Sequence, residues 1–401
     1  MKTLATVVLA VLALAVVLAL VVGAHWYAGR RLVRDTTRPG TLRHGLAALF
    51  LLGPLCLVAT IAMQLSGGPF PLRQVLAWPG WLWPVVLMYA VGLLVVADLV
   101  RLAWTRRPAA VPAPPEAPER ATEPEPGTTS RRAFVTRAVA IGALGLSSAT
   151  VARGTYAVLR GPRVNHVTVP LARLAPGGDG FRIVLVSDLH LGPTLGRGFA
   201  TRVVETVNST RPDLIAVVGD VVDGDVDDLR DAVAPLTGLE APHGTWFVTG
   251  NHEYISGARQ WVDHLPSLGI TPLRNEHVAL EWFDLAGVND EMGKQFDDGP
   301  DYDRALAGRD TSRPVVLLAH QPVQVHEARR RGVDLQLSGH THGGQVWPGP
   351  LVAGWVNPTL AGLERHGPTQ LVVSRGAGAW GPPTRVGAPS DITVVTLAAG
   401  E

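Results

Sequence analysis

Apolar residues run almost unbroken through most of the first hundred positions, whereas beyond residue 160 they gather in short clusters separated by polar and glycine-rich stretches. Residues 4–22, 46–65 and 81–102 are each close to the roughly 20 residues a helix needs to cross a bilayer. Gln64 and Asp98 lie near the ends of their runs, and no polar face repeats inside them, which disfavours packed amphipathic helices. Trp81 and Trp83 open the third run as an interfacial aromatic belt would. The first run has a second reading as a signal peptide cut near Gly23-Ala24. It is long for a signal core, however, and two more runs follow it.

Arginines orient these spans, because short cytoplasmic loops carry the excess of Lys and Arg. Arg30, Arg31, Arg34, Arg38 and Arg43 lie between the first and second runs, Arg73 alone between the second and third, and Arg101, Arg106 and Arg107 after the third. The first and last of these segments are expected in the cytoplasm, with the N-terminus outside. Residues 108–126 (PAAVPAPPEAPERATEPEP) are too rich in proline for a helix or sheet interior and read as a semi-rigid spacer. Ser130-Arg131-Arg132-Ala133-Phe134-Val135 then leads into a moderately apolar segment at 138–157. It reads either as a fourth span or as a twin-arginine export signal, whose paired arginines, variable residue, Phe and aliphatic it contains. Both readings carry the chain after residue 160 to the outside, and the second makes the export machinery a partner. The expected organisation is three transmembrane helices in 1–104, a linker at 105–130, the fourth apolar segment at 131–159 and a globular domain at 160–401.

From Val164 onward the pattern is that of alternating strands and helices. The runs 181–186 (FRIVLV) and 214–218 (LIAVV) are β-branched and short, as buried sheet strands are. Further strands are predicted at 245–248, 283–288, 315–319, 335–337, 371–374 and 392–397, and a helix at 199–208. Charge follows the same division. Residues 1–159 hold 15 Lys and Arg against 6 Asp and Glu, and residues 160–401 hold 20 against 28, so a whole-chain net charge of +1 conceals a basic half and an acidic one. An acidic globular half lacks the basic footprint of nucleic-acid binding. Cys56, the single cysteine, permits neither an intrachain disulfide nor a thiolate zinc site.

Several predicted strands end in residues that bind metals. Asp188 and His190 follow the first, Gly219-Asp220 the second, Gly250-Asn251-His252-Glu253 the third, His320 a fourth, and Gly339-His340-Thr341-His342-Gly343-Gly344 a fifth. Polar groups at the carboxyl ends of neighbouring strands can converge on one site. In Asp-x-His and His-x-His on an extended segment, residues i and i+2 share a side and can reach one ion or two adjacent ones. Oxygen and imidazole donors without sulfur suit Mn, Fe or Zn, and a pair of such ions can clamp a phosphate and activate water. Each element alone is weak, but five in order is a strong pattern.

These residues resemble the calcineurin-like metallophosphoesterases, whose pattern D-x-H, G-D, G-N-H-[DE], H and G-H-x-H is met in full. His320-Gln321-Pro322, Gly343-Gly344-Gln345 and Gly381-Pro382-Pro383-Thr384-Arg385 resemble the bacterial membrane-anchored branch. The resemblance covers roughly residues 180–400 and implies an α/β fold, an α/β/β/α sandwich after the N-terminal transmembrane helices. It implies that Asp188, His190 and His342 bind one divalent metal, that Asn251, His320 and His340 bind a second, and that Asp220 bridges both. It also implies that His252 is no ligand but polarises the phosphate and protonates the leaving oxygen. Hydrolysis of phosphate mono- or diesters follows, on small molecules or lipid head groups at the outer membrane face. A membrane-bound binding or sensory module is the competing reading, which the intact ligand set disfavours.

Other candidates have plainer explanations. Asp223, Asp225, Asp227 and Asp228 read as an acidic loop and helix start. His243, His264, His277, His326 and His366 lack ligand spacing. Trp347, Trp355 and Trp380 fit an apolar pocket or core packing equally, and Arg375 and Arg385 fit salt bridges slightly better than phosphate contacts.

Overall fold

The computed structural model describes residues 2–105 and 131–400, so nearly all of the proline-rich linker lies outside the described residues. Packing divides the chain into two units, Met1–Ala62 with Pro79–Val151 and Met63–Trp78 with Ala152–Glu401.

Four helices, α1 (Lys2–Gly29), α2 (Thr41–Ser66), α3 (Phe70–Thr105) and α4 (Arg131–Leu159), supply the first unit, except that the end of α2, the start of α3 and the end of α4 fall in the second. All four are long and apolar enough to cross a membrane. The helix α3 starts at Phe70, ahead of the expected aromatic belt, so Trp83 lies within it and its indole N–H donates to Nε2 of His25 at 2.8 Å. Gly53 of α2 permits this packing, since a Cβ there would sit 2.1 Å from the Trp83 ring. Small residues that let apolar helices approach closely are the usual means of association in lipid.

In the second unit twelve strands form two sheets. They are β1 (Arg163–Leu171), β2 (Arg182–Val186), β3 (Leu214–Val218), β4 (Thr245–Val248), β5 (Ile270–Pro272), β6 (Glu276–Ala279), β7 (Asp284–Gly287), β8 (Val315–Leu318), β9 (Leu335–Ser338), β10 (Gly362–His366), β11 (Thr369–Val373) and β12 (Asp391–Ala399). The first sheet has the order β1-β12-β2-β3-β4-β5 and the second β10-β11-β9-β8-β7-β6. Strands β2 to β5 run parallel, as do β7, β8, β9 and β11.

Strands buried on both faces read as continuous apolar runs, and β3 (LIAVV) is buried at every position. Ile183, Leu185, Leu214 and Ala216 pack with Leu285, Val316, Leu318 and Leu337 of the second sheet. The alternate residues Val184, Val186, Ile215 and Val217 meet Phe199, Leu229 and Trp261 of α5 (Arg197–Ser209), α6 (Val226–Val233) and α8 (Ala258–His264), which follows α7 (Asn251–Ser256). Tyr302, Ala305 and Ala328 of α9 (Tyr302–Ala305) and α10 (Val325–Arg330) cover the second sheet, and α11 (Gly349–Val356) follows β9. The unit is the expected α/β/β/α sandwich, and the carboxyl ends of its parallel strands carry the metal-binding residue types.

Candidate metal centre

Asp188 and His190 leave β2, Asp220 leaves β3, Asn251 and His252 follow β4, His320 follows β8, and His340 and His342 follow β9. All seven residues expected to bind metal meet in one cluster, five of them buried and Asn251 and His340 half-buried. Nε2 of His342 lies 3.0 Å from Nε2 of His190 and 3.3 Å from Oδ1 of Asp188. On the other side, Nε2 of His320 lies 3.1 Å from Oδ1 of Asn251 and 3.2 Å from Nδ1 of His340. Oδ2 of Asp220 stands between them, 3.2 Å from Nε2 of His320 and 3.8 Å from Nε2 of His190.

The backbone differs from the extended form expected of Asp-x-His and His-x-His. Asp188, His190, Asp220, His340 and His342 all have left-handed φ, between 48° and 70°. Such conformations cost L-residues of order 1–3 kcal/mol each and persist where surrounding bonds fix them. Here the N–H of Asp188 donates to Gly219 O, that of His190 to Asp220 O, and that of His340 to Oδ2 of Asp188. Coiled loops, not pleated segments, therefore bring i and i+2 together. Similarly, Asn251 and His252 open α7 and do not end a strand, so their side chains diverge by the roughly 100° per residue of a helix. The N–H of His252 donates to Oδ1 of Asp220 at 2.8 Å.

The cluster fits divalent metal ions. It offers buried oxygen and imidazole donors, and Oδ1 of Asp188 is buried with no hydrogen-bond partner among the described residues. Nδ1 of His320 faces the Val218 carbonyl at 2.8 Å, which fixes its proton there and leaves Nε2 as a free donor atom. Burial and charged neighbours hold His342 well below the usual imidazole range and His340 at about 4, so both stay neutral as ligands must, whereas His190 and His320, raised against the pull of burial by Asp223 and by Asp220, would each give up a proton to an ion. Burial and the Asp220 charge push Asp188 up. Asp220 is itself held well below the usual carboxylate range: burial opposes this, but the charge and hydrogen bond of His320 prevail.

Asp223 is the residue the sequence reading missed. Its Oδ1 accepts from Nδ1 of His252 at 2.7 Å and from Nδ1 of His190 at 2.9 Å. A bridge between Leu191 and Val222 lays the 220–223 loop beside the 188–191 loop, and this pairing carries Asp223 inward. Burial opposes the charged form of His252, yet the bond and charge of Asp223 raise it to about 9. Glu253 ties the loops from behind, accepting the N–H groups of Asp220, Val221 and Gly250 at 2.7–2.9 Å.

Among the described residues, the remaining candidates add no further carboxylate or imidazole to the cluster. Asp225 caps α6 by accepting from the N–H of Asp228, which pairs with Arg73. Arg385 is buried and binds the carbonyls of His342, Arg375, Gly378 and Ala388 and, at 3.1 Å, Nδ1 of the His342 ring, and Arg375 binds Asp391. Protein groups thus engage both guanidiniums. None of the five histidines without ligand spacing joins the cluster among the described residues. A cleft of about 590 Å³ opens over Asp220, Asn251, His252, His340 and His342, with Ile255, Val352 and Trp380 in its walls. Trp347 and Trp355 are exposed, contrary to core packing.

Residues 181–344 match a family model described as calcineurin-like phosphoesterase. A metallophosphoesterase of Helicobacter pylori is 40% identical over 61% of this chain and 66% of its own length. A transmembrane protein with metallophosphoesterase domain from Danio rerio is 39% identical over 59% of this chain and 57% of its own. For a metallophosphoesterase of Aquifex aeolicus the identity is 36%, over 59% of this chain and 91% of that protein. The chain thus spans under two thirds of the Helicobacter and Danio relatives' lengths.

Proposed function

Since the chain belongs to the calcineurin-like metallophosphoesterase family, we propose that it hydrolyses a phosphate mono- or diester at a dinuclear metal centre. Asp188, His190 and His342 would hold one ion and Asn251, His320 and His340 the other, with Asp220 placed to be shared by both. The observation that carries this reading is the single carboxylate of Asp220, within 3.2 Å of His320 and 3.8 Å of His190. Bound Mn, Fe or Zn would bind the phosphate and activate the attacking water. Asp223 occupies Nδ1 of His252, which leaves Nε2 to carry a proton towards the cleft. As the new P–O bond forms and the ester P–O bond breaks, that proton goes to the departing alkoxide. Glu253 and Asp223 position the loops and rings that do this.

The reaction takes place outside the cytoplasm on a multi-pass membrane protein, lipid head groups being among its substrates. The arginine count supports this orientation, and so do residues 63–78, which hold the end of α2, the short turn at 67–69 and the start of α3. That segment belongs to the globular unit, where Phe70 packs on its core and Arg73 pairs with Asp228. A segment that packs on the globular unit shares its side of the membrane. The fourth helix, opening at Arg131, serves as a final anchor or as a twin-arginine signal.

The test is an assay of the full-length chain, purified in detergent with Mn, on p-nitrophenyl phosphate, bis-p-nitrophenyl phosphate and glycerophospholipids. Turnover of at least one ester, lost on chelation and restored by Mn, is the expected result. A metal-loaded chain inert towards all of them would favour a binding or sensory module.

A further inference from the structure

We propose that the apolar rim of the metal cleft enters the bilayer, so that the site takes its substrate, a phospholipid, directly from the membrane. The proposal rests on the phosphoesterase reading above and names the substrate class. No residue of the eight-residue α11 is buried. Leu351, Val352, Trp355 and Val356 are between 60% and 86% exposed, and Ile255 and Trp380 extend the patch across the cleft at 62% and 56%. Ile255, Val352 and Trp380 are also walls of the cleft, so the patch is continuous with the donors on its floor. Residues 346–363 contain no Asp, Glu, Lys, Arg or His. Soluble surfaces rarely leave so large an apolar patch in water, and Trp favours the interface between lipid and water.

The occupant follows from the chain's own connections. The globular unit includes the end of α2 and the start of α3, within residues 63–78, and the end of α4, and β1 starts at Arg163, shortly after α4 ends at Leu159. A unit joined to apolar helices at three points is held at a bilayer surface, where lipid is the apolar phase within reach. The cleft favours the same ligand chemistry. Among the described residues its lining has no Lys or Arg to meet a second phosphate, as a nucleotide or polyphosphate would require. A phospholipid needs only the floor for its phosphodiester and Ile255, Val352 and Trp380 for its acyl portion.

Full-length protein carrying Cys56→Ser, with Trp355→Cys or Thr311→Cys labelled by an environment-sensitive fluorophore, tests this in phosphatidylcholine–phosphatidylglycerol vesicles containing nitroxide lipids. Thr311 precedes β8, at the end of that strand opposite the cleft. The label at 355 should be quenched several-fold more than that at 311. Equal quenching, or a label at 355 that is dry yet unquenched, overturns the proposal, the latter pointing to a protein cover such as a second copy. Leu351→Asp and Trp355→Asp should each lower the ratio of phospholipid to soluble-ester turnover at least about tenfold. An unchanged ratio also overturns it. If the wild type hydrolyses neither ester, the phosphoesterase reading fails, while the quenching still decides whether the rim enters lipid.

Discussion

Asp223 fixes two imidazoles through one oxygen, and its consequences can be measured. His252, raised to about 9 against the pull of burial, keeps its proton through neutral pH. A general acid works only while protonated, so turnover should fall as pH rises through its pKa. Without Asp223 the charged form loses its partner, and the fall should move to lower pH. An ion in the cluster would lower His252 in both proteins, leaving the direction of the difference intact. Asp223→Asn, saturated with Mn and assayed on an alkyl ester, should therefore show its basic limb displaced towards acid; an unmoved limb would remove Asp223 from this role. His252→Ala should retain its metal and lose roughly 10²–10⁴-fold in kcat, most for poor leaving groups. Equal losses for nitrophenyl and alkyl esters would argue that His252 delivers no proton. The seven residues expected to bind metal, and His252 beside them, could be picked out as one group because their residue types and order are specific. Asp223 could not, since an aspartate in an acidic loop becomes a partner only once Leu191 and Val222 pair.

Among the elements, the buried strands announced themselves and the edges did not. Parallel β2 and β3 are apolar at nearly every position, so their runs are visible in the sequence. The strands without such a signal, β1, β5, β6 and β10, are the four edges of the two sheets. The exposed faces of β6 and β10 leave no hydrophobic period to read, and their neighbours' ladders define them. Coiled ligand loops were equally invisible, because no composition signal distinguishes a left-handed aspartate from an extended one. Their close packing depends on glycine. A Cβ at Gly339 would lie 1.8 Å from Oγ of Ser187 and 2.3 Å from Oδ2 of Asp188. Gly339→Ala should thus displace the β2 loop, with overpacking of typically about 1–3 kcal/mol, a lower Tm and weakened metal binding. Wild-type metal affinity and Tm in that variant would mean the loops have slack that the close contacts deny.

For the whole molecule, orientation and metal content are the exposed claims. A tag at Glu401 should be cut when intact spheroplasts meet protease. A tag protected until the membrane is permeabilised would put the metal site in the cytoplasm. Replacing Arg131 and Arg132 with Lys should block export if the fourth segment is a twin-arginine signal and leave it unaffected if that segment is an ordinary span. The most direct measurement is the number of metal ions per full-length chain, followed by elemental analysis alongside hydrolysis as the chelated protein is refilled with Mn. Turnover should reach its maximum only as a second ion binds, and Asp220→Asn should hold fewer than two ions and lose nearly all activity. Full turnover at one ion or none, or two ions retained by Asp220→Asn, would contradict the dinuclear centre.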